Sequence, residues 1–330
     1  MIVCKDALLF AGCLILSAPL MASDPESDKP LEEESHQVSQ EDGGSWWQSA
    51  HQSVSETVDS WSRNIDMFLS GNKQALSNKS YMRLRFGPIL SEEGADGFFD
   101  FNARLKLPNT KDRLRLVIES DGDHLTSDNE ITETSRDSSV ANSVANSNVS
   151  AAVRYIKKSW GADFDGGVLL AFPLNPFLRT RFSQGEQYER WRWYQQEEAF
   201  AYYTEGTGLR YKLGYAHQLG EDFQYGGRFG TTWFAQDDEI YYREDIFLNQ
   251  TINERNKLLY QLSFLQAEGD DTNGNSFLYF VDYSRLLHKN WLIGHVKPQM
   301  TYEADENYRA DFSLTLSLEI LFGNPYLVPK

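Results

Sequence analysis

The chain has 330 residues and a formal charge of −17, from 31 basic against 48 acidic residues, a balance that excludes a general nucleic-acid-binding surface. Aromatic residues make up 14% while the mean hydropathy is −0.52, too polar for a bundle of membrane helices and too aromatic for a disordered chain. Both cysteines, Cys4 and Cys13, lie in the first apolar stretch, so without that stretch the chain has no disulfide, no thiolate metal site and no cysteine nucleophile.

Residues 1–22 read as an export signal. Lys5 supplies a basic start, and the apolar run from Ala7 to Ala22 ends on the small residues Ala22-Ser23. The run is shorter than the roughly 20 residues a membrane-spanning helix needs. Phe10-Ala11-Gly12-Cys13 has the look of a lipoprotein cleavage box, yet Leu14-Ile15-Leu16 stays apolar beyond it, which favours a cysteine inside a discarded signal. Residues 23–44 carry eight carboxylates against Lys29, a net −7, and almost nothing apolar. Such a segment buries too little surface to offset its ordering entropy and is expected to be a disordered tether.

Residues 45–70 then repeat apolar side chains at three- and four-residue steps: Trp47, Ala50, Val54, Val58, Trp61, Ile65 and Phe68. This spacing predicts an amphipathic helix stopped near Gly71-Asn72, expected to lay its Trp47, Trp61 and Phe68 face on its own domain or to enter that domain as a plug.

From about residue 79 the period changes to two. The clearest run is the last, with Phe312, Leu314, Leu316, Leu318, Ile320 and Phe322 on one face and Asp311, Ser313, Thr315, Ser317 and Glu319 on the other. The pattern predicts fourteen strands: 79–87, 97–107, 113–121, 148–158, 162–172, 176–184, 188–203, 208–218, 222–235, 239–250, 256–267, 275–286, 290–302 and 308–322. Twelve is the alternative, because Pro173-Leu174-Asn175-Pro176 reads either as a turn or as an interruption within one strand. Most of these strands are long enough to cross a bilayer at a tilt. Tight turns such as Pro108-Asn109-Thr110 and Leu219-Gly220-Glu221 alternate with longer or more acidic connections, above all 122–147. Trp and Tyr gather near strand ends, as at Tyr81, Trp160, Trp191, Trp193, Trp233 and Trp291. The expected fold is an all-β, antiparallel, up-and-down membrane barrel covering 79–322, with both ends on the periplasmic side and a tail at 323–330.

Five segments carry a family resemblance. They are the helix running into Asp66-Met67-Phe68, the first strand from Tyr81 to Phe86, Pro173 to Phe177, Arg285 to Leu292, and the closing run from Ser313 to Gly323. With these, 45–323 resembles a family of Gram-negative outer-membrane β-barrel proteins with a short N-terminal helix. The resemblance implies fold and location, and no activity. The closing run (Phe312, Leu314, Leu316, Leu318, Ile320, Phe322) also resembles the signal read by the barrel-assembly machinery, although Asn324 to Lys330 continue past the final aromatic.

If the apolar face meets lipid, the opposite face lines a lumen, where charges lie in water or in pairs. The selectivity candidates there are Arg83, Arg85, Arg104, Lys106, Arg113 and Arg115 on the first three strands, Arg179, Arg181, Arg190 and Arg192 further along, and His295 with Lys297. Asp100, Glu119, Arg228, Asp245, Asp282, Asp311 and Glu319 share that face. Two roles compete: a charge-selective wall of a pore, or cross-strand pairs that fill and close the barrel. A monomeric or partly occluded channel for small polar or charged solutes is the expected function, with an anchoring barrel without transport, or a lipid-modifying hydrolase, as alternatives. The His-x-Ser-Asn-Gly of outer-membrane phospholipase A occurs nowhere, His217 being followed by Gln218-Leu219-Gly220. No catalytic residue, metal site or cofactor is expected, and no enzyme. The expected partners are outer-membrane lipid and lipopolysaccharide, the barrel-assembly machinery, and an unspecified small solute.

Overall fold

The computed structural model describes residues 45–70, 80–92, 94–110, 113–119, 150–169, 174–204, 206–236, 238–268, 273–304 and 306–326. The expected signal, the acidic tether and the loop at 122–147 lie outside the described residues. One helix, α1 (Ser45–Ser70), precedes fourteen strands. These are β1 (Tyr81–Ser91), β2 (Gly94–Leu107), β3 (Leu114–Glu119), β4 (Ser150–Lys157), β5 (Ala162–Leu169), β6 (Asn175–Tyr188) and β7 (Trp191–Tyr202). They continue as β8 (Gly206–Leu219), β9 (Phe223–Phe234), β10 (Glu239–Asn253), β11 (Asn256–Glu268), β12 (Asn273–His288), β13 (Leu292–Glu303) and β14 (Ala310–Gly323).

Each strand pairs antiparallel with its sequence neighbours, and β1 pairs with β14 from Tyr81↔Gly323 to Ser91↔Ser313, closing the barrel. Closure leaves no strand edge with unpaired amides, the condition for backbone in hydrocarbon. The choice between twelve and fourteen strands is decided at Pro173 to Pro176. Asn175 and Pro176 open β6, where the missing proline N–H costs no ladder bond, and the Asn175 side chain accepts a hydrogen bond from the Thr204 amide at 3.1 Å. The largest boundary differences from the sequence pattern are at β1, which runs on through Gly87-Pro88 to Ser91, and at β6, which reaches Tyr188.

Side chains alternate between two surfaces. The outer one is apolar and open to the surroundings, with Phe86, Leu90, Leu178, Leu209, Leu213, Ile246, Leu316 and Leu318 all exposed, and it is interrupted by Glu197 and Glu244. The inner one carries most of the charge. A length-two period with opposite environments on its two sides is why the strands are legible in the sequence at all.

Helix α1 lies along the rim where β12 meets β13, where β14 ends and where β2 meets β3. At its N-terminal end Trp47 packs edge-on to His288 at 4.3 Å, and the His51 ring stacks on Trp291 at 3.8 Å and on Phe322 at 5.2 Å. His51 Nε2–H donates to the Leu321 carbonyl at 2.8 Å. Midway, Ser62 donates to the Lys106 carbonyl at 2.7 Å and accepts from Ser80 at 2.8 Å, while Ser80 accepts from the Lys106 amide at 2.9 Å. These serines take over where β1 begins too late to pair with Lys106. At the far end Asp66 accepts the Asn109 N–H at 3.0 Å. The docked stripe is therefore His51, Ser55, Asp59, Ser62 and Asp66, all buried, with Val58 beside it; of the expected aromatic face, Trp47 packs on the rim, Trp61 is 58% exposed, and the side chain of Phe68 lies outside the described residues. The polar stripe wins because the rim presents unpaired carbonyls and amides, which need hydrogen-bond partners more than apolar cover.

Candidate solute passage in the lumen

The strand register brings a row of charged side chains to one level across β4 to β9. Arg154, on β4, forks onto Asp165 of β5 through Nε (2.7 Å) and Nη2 (2.8 Å). Arg179 on β6 donates to the same carboxylate at 3.1 Å, and Arg181 lies 3.8 Å from it. Arg181 also donates to Glu198 on β7 at 2.8 Å, and Arg210 on β8 reaches the other Glu198 oxygen at 3.1 Å. The Arg210 Nε ends the row on Thr232 of β9 at 3.1 Å. Among the described residues, two carboxylates hold four guanidiniums in this row. Each carboxylate is held between cations, which is what permits charge at buried positions.

Above this row, away from the helix rim, Leu169, Phe177, Phe200 and Tyr202 form a buried cluster with Ala152 and the partly buried Phe234. All six belong to the inner surface. This side of the lumen is thus filled, with apolar packing over ionic packing.

Nearer the helix rim the lumen wall is more open. Arg228 on β9 and Arg243 on β10 share Asp245 at 3.1 and 2.9 Å, and Arg228 also donates to Gln261 at 2.7 Å. Next to them opens a cleft of about 300 Å³ lined by Arg192, Tyr194, Gln224, Arg228, Phe247 and Asn249. Arg192 is exposed and makes no hydrogen bond or ion pair among the described residues. On β12, β13 and β1, His295 Nδ1 meets both oxygens of Asp282 at 3.2 Å, with Glu319 3.9 Å from its Nε2 and Arg85 3.6 Å from Asp282. Lys297 lies over the Phe280 ring at 4.7 Å. Arg83 pairs with Asp100 at 2.7 Å.

On β2 and β3 the register sets Lys106 beside Arg115, and Arg115 beside Arg154. Like charges directly opposite repel, and neither Lys106 nor Arg115 has a carboxylate partner among the described residues. The inner-surface acids Asp96, Glu239, Glu303 and Asp311 stand at the strand ends remote from α1. The lumen is accordingly acidic at one mouth and basic at mid-height and toward the helix rim.

Of the residues singled out from the sequence, Arg83, Arg85, Arg104, Lys106, Arg115, Arg179, Arg181, Arg192, His295 and Lys297 lie on the inner surface of strands. Arg113 and Arg190 do not: they sit just outside β3 and β7, in the connections at the helix rim, because those strands begin at Leu114 and Trp191. The sequence reading had passed over Arg154, Asp165, Glu198, Arg210 and Arg243. Their alternation phase was visible, but their shared level depends on the stagger between strands, which no single strand encodes.

No protein-family model matches the chain, and no curated protein does. Among solved structures, the chain is similar to a loop-deletion mutant of OmpT, an outer membrane protein of Vibrio cholerae. That likeness has 8% identity and a TM-score of 0.46, covering 74% of this chain and 98% of that one. It is similar to the outer membrane channel DcaP of Acinetobacter baumannii, with 9% identity and a TM-score of 0.43 over 74% and 96% of the two chains. It is also similar to an anion-selective porin from Comamonas acidovorans, with 7% identity and a TM-score of 0.43 over 74% and 99%.

Proposed function

We propose that the chain is a monomeric outer-membrane barrel whose partly occluded lumen passes or holds small polar solutes, with a preference for anions. An exposed apolar outer surface around a charged inner one suits a barrel in lipid and no water-soluble sheet. The observation that carries the anion preference is the surplus of cations at mid-height. Lys106, Arg115 and Arg192 carry it, none of them with a carboxylate partner among the described residues. In a narrow, low-dielectric passage such fixed charge concentrates counter-ions. The packing across β4 to β9 leaves open the cleft nearer the helix rim that bears Arg192, Arg228 and Asn249, where guanidinium, amide and aromatic groups converge.

The outer acidic mouth fits divalent cations bridging lipopolysaccharide, and β14 fits the signal for barrel assembly. An anchoring barrel without transport is favoured by one feature, the burial of the whole ionic row. Single-channel recording of the refolded protein in a planar bilayer under a salt gradient separates the two. Stable steps with a reversal potential of anion sign are expected; a silent, heat-resistant barrel would leave the anchoring role.

A further inference from the structure

Helix α1 has three stripes rather than two. At about 100° per residue, the buried His51, Ser55, Asp59, Ser62 and Asp66 form one. Roughly a quarter to a third of a turn away lie Val54 and Trp61, which are 37% and 58% exposed, and Trp46, 74% exposed, lies opposite the docked stripe. Gln52, Glu56 and Arg63 make the third, on the far side of the docked stripe. A helix of a water-soluble domain buries its apolar stripe; this one buries a mostly polar stripe beside Val58 and Trp47 and leaves Trp46, Val54 and Trp61 out.

The direction of the apolar stripe follows from chain geometry. Ser183 points into the lumen from β6, which runs toward the helix rim, and its N–H reaches back to Gly161 beside β5 at 2.8 Å. For L-residues this fixes the hand: seen from outside with the helix rim below, successive strands follow one another leftward. Helix α1 runs the same way, from the β12–β13 turn at Trp47 to the β2–β3 turn at Asp66. With its docked stripe against the rim, the right-handed screw sends Val54 and Trp61 outward, away from the barrel axis, and Gln52, Glu56 and Arg63 toward the axis side, while Trp46 points away from the rim. The apolar stripe also continues the barrel's outer surface: along β14, Leu316 and Leu318 are exposed, and exposure falls to 8% at Phe322, where His51 covers the ring.

We propose that α1 is an in-plane membrane helix, fixed to the closure seam of the barrel and seated with Val54 and Trp61 in the interfacial layer of the leaflet at that rim. The inference rests on the reading of the barrel as membrane-spanning. Amphipathic indole rings suit the headgroup level, and valine the acyl boundary beneath it. Attachment is by apolar burial and not by charge, since the helix carries Arg63 against Glu56, Asp59 and Asp66. Zwitterionic lipid therefore suffices as the occupant.

The test uses the full chain with Cys4 and Cys13 replaced by Ser, refolded into phosphatidylcholine vesicles and labelled with an environment-sensitive fluorophore at one engineered thiol. The positions are Trp61→Cys, Val54→Cys, Glu56→Cys and, on the barrel's outer surface, Leu213→Cys. Lipid-borne nitroxide is expected to quench labels at 54, 61 and 213 several-fold more than the label at 56, and aqueous iodide to do the reverse. Labels at 54 and 61 that iodide quenches as strongly as 56 would place the stripe in water and overturn the proposal. Labels silent to both quenchers would mean protein covers it, such as a second copy, and would overturn it equally. Failure of nitroxide to reach 213 would instead defeat the membrane-spanning reading itself.

Discussion

Glu198 and Arg210, on the adjacent strands β7 and β8, form an ion pair at 3.1 Å in which each side chain is almost wholly shielded, 1% and 2% exposed. Glu198 also holds Arg181 at 2.7 Å, so one carboxylate compensates two buried cations. Replacing Glu198 with Gln removes that charge and leaves both guanidiniums facing each other. Breaking a buried pair from one side typically costs about 3–5 kcal/mol. Denaturant unfolding of the refolded barrel is expected to show a loss of that order, with part of it recovered when Arg210→Met accompanies Glu198→Gln. A change near zero would mean that water reaches the row in solution.

Selectivity should respond at different positions from stability. Lys106 and Arg115 face each other across β2 and β3 without a described carboxylate partner. Converting both to Glu replaces mutual repulsion by repulsion of the opposite sign and changes the local lumen charge by four units. The reversal potential under a salt gradient is expected to move from the anion side toward the cation side, with the unfolding midpoint little altered. Arg192→Glu should act likewise, since Arg192 lines the cleft and holds no other group in place. Arg113→Glu and Arg190→Glu serve as controls: both residues lie in connections at the rim and should shift the potential far less.

The contrast between those positions marks where the sequence was informative. Strand number and phase were legible because lipid and lumen impose opposite polarity on alternate residues, as along Phe312 to Phe322. The tight turns followed from their own chemistry, as at Gly220, whose φ of 69° suits glycine. The row from Arg154 to Thr232 was not legible, because it exists only when six strands are staggered correctly against one another. The helix and its packing on the barrel were legible, with Trp47 at the rim, whereas the polar stripe that makes most of the docking contact was not. Periodicity reports where apolar side chains fall, and it cannot say that a barrel rim would offer unpaired backbone groups to Ser62 and Asp66.

Docking of α1 should weaken in acid. The His51 ring is buried between Trp291 and Phe322, and its Nε2–H donates to the Leu321 carbonyl. Burial holds its pKa below the ordinary imidazole value, with Lys289 and His288 adding to the effect, against the opposing pull of the Leu321 hydrogen bond. A base whose pKa is lowered by docking favours the docked state while neutral. The contribution is full above the undocked value near 6.5 and declines as pH falls below it. Protease accessibility of α1, followed from pH 8 to pH 4.5, is expected to rise in the acid range for the native chain. His51→Gln, which keeps a donor but does not titrate, should flatten that profile; an unchanged profile would assign the acid response elsewhere.

Closure of the barrel depends on a close approach at Gly87. In β1 the register with β14 is recorded up to Phe86↔Leu318 and resumes at Ile89↔Thr315, and a Cβ at Gly87 would lie 1.9 Å from the Leu316 carbonyl oxygen. Pro88 follows and has no N–H to give, so this stretch of the seam already lacks one ladder donor. Gly87→Ala must push β1 away from β14 at that point, because the obstacle is backbone and cannot rotate aside. The displacement opens amides at mid-strand, where lipid supplies no replacement partner. The expected result is a sharp fall in the fraction of heat-modifiable, folded barrel on refolding into vesicles. Gly220→Ala, at a turn where a Cβ meets nothing within 4 Å, should fold nearly as well as the native chain despite its positive φ. Equal yields for the two variants would show that the seam yields at Gly87 without losing closure.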